Sequence, residues 1–488
     1  MTASASGEKL PLRTKIGFGL GDIFGGGAGV VVSFYYLYFL TDVIRINPAL
    51  AGTAFLISKL YDAVTDPFEG VLTDRTRTPL GRRRPYLLAG IGLVFLSFFL
   101  MWYPVGFPSE MARFLYVIAT YLFFSTVISI VMTAYNALAA ELTLDYHERT
   151  SLSSIRIFFS TFASILAAVL PLELVKLAPD PRTGYIWMGL AFGVFFALPF
   201  LATFFATRER PEFQRPNEPL DLRAIFLDPF KVRTFVVVVL MYLLAFVAMD
   251  AVSSIVIYFM KYYLGRGGEA NYVSGTLLVA QVAVLPFYVW FSRKTSKRAG
   301  YLLGALVWVF TMLFSFAVTP EAPGWVVYVF ASMVGAGTGG IVVMVYAMFP
   351  DIPDVDELSS GRRREGTYSA ITTFMRKLSS AFALFLVSNA LAVSGYRPPV
   401  EETVNGVVQV VEQVQNPAFL NALRLIFAFT PIVLLVLALV AAWRYPLNAE
   451  THQRLNKVLK VQRECAGAGR PMPEEVQQEA AALRKLLV

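Results

Sequence analysis

The stretch 54-AFLISKLYDAVTDPFEGVL-72 decides how this chain reads. It is long and apolar, yet Lys59, Asp62, Asp66 and Glu69 interrupt it at spacings of three, four and three residues. That spacing puts all four on one face of a helix. A charge at the centre of a bilayer costs roughly 2.5–3.5 kcal/mol even on insertion-derived scales, so charges placed there need partners or a function. Asp62 and Asp66 are one turn apart, close enough for both carboxylates to meet a single bound cation.

The surroundings of this stretch are those of a membrane protein. Of 488 residues 56% are hydrophobic and only 16% charged, where a soluble domain carries roughly 25%. About twelve apolar runs reach the length that a hydrocarbon core of ~30 Å requires, near 16–41, 49–72, 86–106, 111–140, 153–177, 184–207, 233–262, 270–292, 300–318, 324–350, 367–395 and 418–443. The reading is an all-α membrane protein with two pseudo-symmetric six-helix halves. The expected divisions are an N-terminal bundle over 1–207, a central linker over 208–233, a C-terminal bundle over 234–446 and a polar tail over 447–488. The linker holds Pro211, Pro216, Pro219 and Pro229, and the halves echo one another on either side of it. A basic loop follows the second and the eighth span. An acidic-then-basic segment follows the fourth (Glu141, Asp145, Glu148, Arg149) and the tenth (Asp351, Asp354, Asp356, Glu357, Arg362). Such a duplication places a binding site at mid-depth between repeats.

Orientation follows from basic residues. Arg75, Arg77 and Arg82 to Arg84 follow the second span, Arg293, Lys294, Lys297 and Arg298 the eighth, and Arg362 to Arg364 precede the eleventh. All share the side of both termini, which the positive-inside rule makes cytoplasmic, in a multi-pass protein of the cell (inner) membrane. No removable signal peptide is expected. The single cysteine, Cys465, excludes an intrachain disulfide and a cysteine-based metal site, and His147 and His452 both fall outside the spans. Basic residues scattered in short loops do not make a nucleic-acid surface. A tail helix over Pro473 to Leu487 is expected, with no assigned role.

Within the spans, Thr65 and, from the fourth helix, Ser129 are candidates to complete an oxygen shell around Asp62 and Asp66, the ligand type a hard cation prefers. Sodium, lithium and a proton compete as occupants, because two empty carboxylates so close would hold a proton. Lys59 either neutralises the empty pair or forms a static salt bridge. In the first span, small-residue steps at Gly17, Gly21, Gly25 and Gly29 read as close helix packing or as a flexible, cavity-lining helix, with Asp22 in their midst. Asp250 in the seventh span, and Arg376 and Lys377 in the eleventh with Thr372, Thr373, Ser379 and Ser380 around them, are the other deep polar groups.

These residues and the loop strings resemble the glycoside–pentoside–hexuronide:cation symporter family of the major facilitator superfamily. The match rests on Gly19-Leu20-Gly21-Asp22, on Asp62-Ala63 with Asp66-Pro67, and on Asp74-Arg75 through Gly81-Arg82. It extends to Tyr135-Asn136-Ala137-Leu138 with Glu141-Leu142-Thr143 and Arg149. The last strings are Asp351-Ile352, Asp354, Glu357, Gly361, Arg364-Glu365-Gly366 and Lys377. The resemblance implies a major facilitator fold and cation-coupled symport by alternating access. It also implies a coupling cation at Asp62 and Asp66 helped by the Ser129 hydroxyl, and Lys377 linking the cation and sugar sites. Where the family's melibiose permease has sugar-binding acids, Gly26 and Met132 stand here; where it has tryptophans, Asn136 and Val342 stand.

The expected substrate is therefore a sugar or glycoside other than a galactoside, met by Asp22, Gly26, Met132, Thr133, Asn136, Asp250, Thr373 and Lys377. The alternative is an amphipathic lysophospholipid, since vertebrate lysophospholipid symporters resemble this branch and lack the same galactoside residues, and Gly26, Met132 and Val342 would leave an apolar side path open for its acyl chain. Charge network and gating residues are Lys59, Arg149, Arg156, Asp351, Asp354, Glu357 and Arg364, with Arg156 or Lys377 suited to an acidic sugar. A membrane enzyme or sensor is disfavoured: there is no His/Cys cluster, serine motif or soluble catalytic domain. The expected partners are a small-molecule substrate and the lipid bilayer, with no cofactor besides Na+, Li+ or H+ and no nucleic acid, in a monomeric protein.

Overall fold

The computed structural model describes residues 9–143, 146–209, 228–361, 365–404, 407–467 and 470–488. Among these residues, eleven helices are long and apolar enough to cross a membrane. They are α1 (Leu12–Tyr36), α3 (Arg84–Met101), α4 (Glu110–Leu142), α5 (Tyr146–Lys176), α6 (Pro181–Ala206), α7 (Arg233–Tyr258, continuing to Tyr263), α8 (Gly267–Lys294), α9 (Lys297–Phe314), α10 (Gly324–Met348), α11 (Glu365–Val393) and α12 (Pro417–Trp443). The remaining span of the sequence reading is α2 (Pro48–Arg75), 28 residues and so about 40 Å long at 1.5 Å per residue. It has the length of a span but carries the charged face.

Helix starts follow local chemistry. The Asn47 side chain accepts from the Ala49 amide with Pro48 in the first turn of α2, and Asp180 accepts from the Thr183 amide ahead of α6. Each cap satisfies an amide that the first turn leaves open. At α3 the cap comes from far along the chain, because the Glu209 carboxylate accepts from the amides of Arg82, Arg83 and Arg84 at 2.6, 2.6 and 2.9 Å. Gly81, at φ +107°, packs against that carboxylate, and a side chain there would collide with it.

Two compact units are present. The first comprises Met1–Glu218, Ser253–Gly275 and Leu384–Leu423. Its core is aromatic: Phe24 contacts Phe124, Phe196 and Phe200, while Tyr36 meets Trp102 and Tyr121. In α1 a Cβ on Gly17 would strike Ala206, and one on Gly21 would strike Tyr135 and Thr203, so the first steps of the small-residue stripe are packing contacts. Gly29 has open space instead. A hairpin of β1 (Val400–Val404) and β2 (Val407–Val411), paired antiparallel from Val400 opposite Val411 to Val404 opposite Val407, joins α11 to α12. The sequence reading missed it, although Asn405-Gly406 between alternating residues is the usual two-residue hairpin signal.

The second unit comprises Pro219–Val252, Thr276–Ala383 and Arg424–Val488. In it α9 and α10 cross at glycines, a Cβ on Gly304 falling 2.9 Å from the Gly337 carbonyl. A short helix, Ile352–Ser360, follows α10 and ends at Gly361 in the left-handed conformation. The tail forms two helices where one was expected, α13 (Ala449–Gly467) and α14 (Glu474–Leu487). Arg484 donates to the Leu358 carbonyl at 2.8 Å and Thr234 to the Leu487 carbonyl at 2.6 Å, with Leu483 and Leu487 buried.

Candidate cation and substrate sites

The charged face of α2 packs along α4, which presents Tyr121, Ser125 and Ser129 at one-turn intervals. Asp62, only 2% exposed, holds the Lys59 ammonium at 2.7 Å on Oδ2, and the Ser125 hydroxyl lies 2.7 Å from both of its oxygens. Lys59 also donates to Ser125 at 3.2 Å and lies over the Tyr121 ring. One turn on, Ser129 donates to Asp66 at 2.5 Å. Two carboxylates thus face two hydroxyls, residue for residue. Such an oxygen set suits a hard monovalent cation or a proton.

Two expectations at this site change. Ser125, which the sequence reading passed over, repeats on Asp62 what Ser129 does on Asp66, and its four-residue spacing from Ser129 matches that of the acids. Thr65 turns its hydroxyl back to the Tyr61 carbonyl at 3.2 Å, an ordinary bond for a threonine within a helix. Among the described residues no cluster of three or more His, Cys, Asp and Glu is built to hold a metal.

A second polar group in the same unit joins α1 to α5. Asp22 is buried and pairs with Arg156 through two contacts, Nε to Oδ2 at 3.0 Å and Nη2 to Oδ1 at 3.2 Å, while the guanidinium lies over Tyr135. A Cβ on Gly25 would lie 2.6 Å from both the Asp22 carboxylate and the Met132 methyl, which brings Met132 to the same spot. Gly26 differs from expectation. A Cβ there would meet Ser160 at 2.3 Å, and Ser164 donates to the Gly26 carbonyl, so its missing side chain admits α5 and opens no path. Thr133 is half-buried and Asn136 exposed on α4.

The second unit repeats the pairing of Asp22 with Arg156. Asp250 on α7 is engaged at both oxygens by Arg376 on α11, Nη2 to Oδ1 at 2.9 Å, with Phe246 beneath the guanidinium. Thr373 is exposed and Lys377 half-buried on the same helix. Of the gating candidates of this unit, Asp351 pairs with Lys297 at the start of α9 at 2.6 Å, while two reach the tail: Asp354 faces His452 at 3.6 Å, and Glu357 takes Arg463. In the first unit Arg149 donates to the Thr143 carbonyl at 2.9 Å and Arg82 pairs with Glu141, while Arg364 lies outside the described residues.

Comparison with known proteins decides the class. The MFS/sugar transport protein family matches residues 17–449. The chain belongs to that family. The transporter is 25% identical to the isoprimeverose transporter of Lactiplantibacillus pentosus, over 90% of this chain and 89% of the relative. It is 22% identical to sodium-dependent lysophosphatidylcholine symporter 1-A of Danio rerio, over 93% of this chain and 89% of the relative. Its fold is that of the inward-open xylose transporter XylE from E. coli, with TM-score 0.61 and 15% identity over 91% of this chain and 98% of the other. It is a multi-pass membrane transporter of the symporter type, not an enzyme.

One site in this transporter went unread in the sequence. Asp42, just after α1 and 5% exposed, accepts from Tyr396 at 2.6 Å, from Thr41 at 2.8 Å and from Tyr262, with the Lys261 ammonium 3.4 Å away. Lys261 also reaches Tyr38 at 2.9 Å and Glu412 at 2.9 Å. The ends of α1, α7 and α11 are tied at this one carboxylate, and the backbone widens into π turns there, just after α1 at Phe39–Val43 and at the end of α7 at Phe259–Tyr263. Clustered tyrosines in both segments, Tyr35-Tyr36 with Tyr38 and Tyr258 with Tyr262-Tyr263, were the available signal.

Proposed function

We propose that this transporter couples uptake of a sugar or glycoside to a cation held at Asp62 and Asp66, across the cell membrane with both termini cytoplasmic. One observation carries the reading: two acids on α2 are matched by two serine hydroxyls on α4, with Lys59 as counter-charge on Asp62. An arriving cation would take the oxygens of Ser125, Ser129 and both carboxylates, and Lys59 would leave Asp62, so that site charge is conserved on binding. A relative that carries isoprimeverose supports a sugar as cargo, and a sodium-dependent relative supports sodium as coupling ion. The polar pairs at Asp22 and Asp250 also favour a sugar, since an acyl chain could not repay their desolvation.

The test is uptake into proteoliposomes under imposed sodium or proton gradients. The parent protein should accumulate a glycoside, and Asp62→Asn should insert yet fail to accumulate it. Accumulation by Asp62→Asn at the parent level removes the cation-site reading. Uptake of a lysophospholipid with no glycoside active would replace the sugar by the second reading, which the lysophosphatidylcholine relative favours.

A further inference from the structure

The two compact units cut across the two sequence halves. Ser253–Gly275 and Leu384–Leu423, which hold the end of α7, the start of α8, the end of α11 and the start of α12, group with α1 to α6. The chain reaches each of these ends after an odd number of spanning helices, so they share the face opposite both termini. On α8, Asn271 donates to the Val169 carbonyl at 3.0 Å and to Glu173 at 2.8 Å, both on α5. On α11, Ser388 meets Gly52 of α2, where a Cβ would fall 1.9 Å from the serine hydroxyl, so the two helices touch with no room for a side chain. On α7 and past α11, Tyr262 and Tyr396 donate to Asp42, and Lys261 stands beside it.

These contacts differ in what it takes to part them. The Gly52 contact is van der Waals packing, and Glu173 is a third exposed. Asp42 is a charge 5% exposed, so it can lose its donors only if water replaces them, and water arrives only when the face itself opens. Its contacts are therefore made together and lost together, as a two-state element requires. Lys261 has a second anion within reach: Glu412, just past β2 and 64% exposed, lies 2.9 Å from its ammonium. Lys261 can leave Asp42 without becoming unpaired. We propose that Asp42, Tyr262, Tyr396 and Lys261 form a latch that holds the face opposite the termini closed, and that on opening Asp42 stays with α1 while Lys261 passes wholly to Glu412. The π turns at Phe39–Val43 and Phe259–Tyr263 flank the parting line, each where a helix end has to yield. The latch asks only that this transporter open that face to a solute, so it holds for a sugar and for a lipid alike.

The experiment is thiol labelling of the full-length protein in proteoliposomes that enclose the tail, with a membrane-impermeant maleimide added outside. Cys465, the single native cysteine, lies in the tail and is replaced by serine. Ser388→Cys, at a fully buried position against α2, reports opening of the face, and Ser97→Cys, equally buried in α3, reports general loosening of the first half. Ser388→Cys should react slowly. With Tyr262→Phe and Tyr396→Phe together, which keep both rings and remove two hydrogen bonds to a buried carboxylate, it should react about tenfold faster or more, and Ser97→Cys should not. Glu412→Gln, at an exposed position, should instead slow the reaction of Ser388→Cys by about two- to fivefold, because Lys261 is left to Asp42 alone. No acceleration by the tyrosine pair, or an equal one at Ser97→Cys, makes the cluster a structural tie and overturns the latch. A rate in Glu412→Gln no slower than the parent's overturns the transfer of Lys261. Should the tyrosine pair fail to fold, Tyr262→Phe alone supplies the first comparison. None of these readings involves a sugar, so their failure leaves the cargo reading untouched.

Discussion

The Lys59 ammonium sits 2.7 Å from Oδ2 of Asp62, one turn before it on α2, and within reach of the same Ser125 hydroxyl that serves the carboxylate. A lysine so placed competes with any cation for Asp62. Removing one partner of a buried pair costs about 3–5 kcal/mol, because the other is left as an uncompensated charge. Lys59→Met should therefore lower the stability of the cation-free protein and enlarge the stabilisation that sodium provides. Thermal unfolding over a sodium titration measures this; an equal or smaller sodium-induced shift in Lys59→Met removes the competition.

Ser125 and Ser129 divide the two carboxylates between them. Ser125→Ala should weaken sodium binding about tenfold, the worth of one hydrogen-bonding oxygen to a charged site. Thr65→Val should leave sodium binding unchanged, since the Thr65 hydroxyl bonds to the Tyr61 carbonyl while those of Ser125 and Ser129 bond to the two carboxylates. Equilibrium binding of radioactive sodium compares the two variants directly, and the reverse order would return Thr65 to the site.

The contrast between Ser125 and Thr65 shows what a sequence carries and what it withholds. Span number and the acidic pair follow from hydropathy and from helical periodicity, which act within one segment, whereas Ser129, on another helix, was named through the family resemblance. The choice of Ser125 over Thr65 depends on which face of α4 meets α2, a matter of packing between segments 63 positions apart. Asp42 was missed for a related reason: its partners Tyr262 and Tyr396 lie 220 and 354 positions away, and an Asp at the end of an apolar run looks like an ordinary solvated terminus. Gly26 illustrates the opposite error, since an absent side chain reads equally as open space or as room for a neighbouring helix, and here Ser160 fills it.

At Asp42 the expectation concerns stability. Tyr396→Phe removes one hydrogen bond to a buried carboxylate while keeping the ring against Tyr258, Tyr262 and Phe419. A hydrogen bond to a charged group is worth about 1.5–3 kcal/mol, so the variant should unfold at lower temperature than the parent. Leu60→Ala, at an exposed position of α2, is the control for simple truncation. A melting temperature for Tyr396→Phe no lower than that of the control would mean that Asp42 is satisfied without it.

His452, near the start of α13 and outside the spans, faces Asp354 at 3.6 Å and Asp351 at 3.9 Å, with Lys297 bound to Asp351 on the far side. The hydrogen bond with Asp354 raises the His452 pKa above its ordinary value, and Asp351 adds to this, while partial burial and Lys297 oppose it. A histidine whose folded pKa is raised contributes its stabilisation fully below its unfolded value, about 6.5, and loses it as the pH climbs through the folded pKa. Docking of α13 should therefore loosen as the pH rises over the range above about 6.5. Amide exchange over Ala449–Gly467, expressed as protection factors to remove the intrinsic pH dependence, reads this out. The parent should lose protection across that range, and His452→Gln should show lower protection at the acidic end and no pH trend. The same trend in both proteins would assign the loosening to another group.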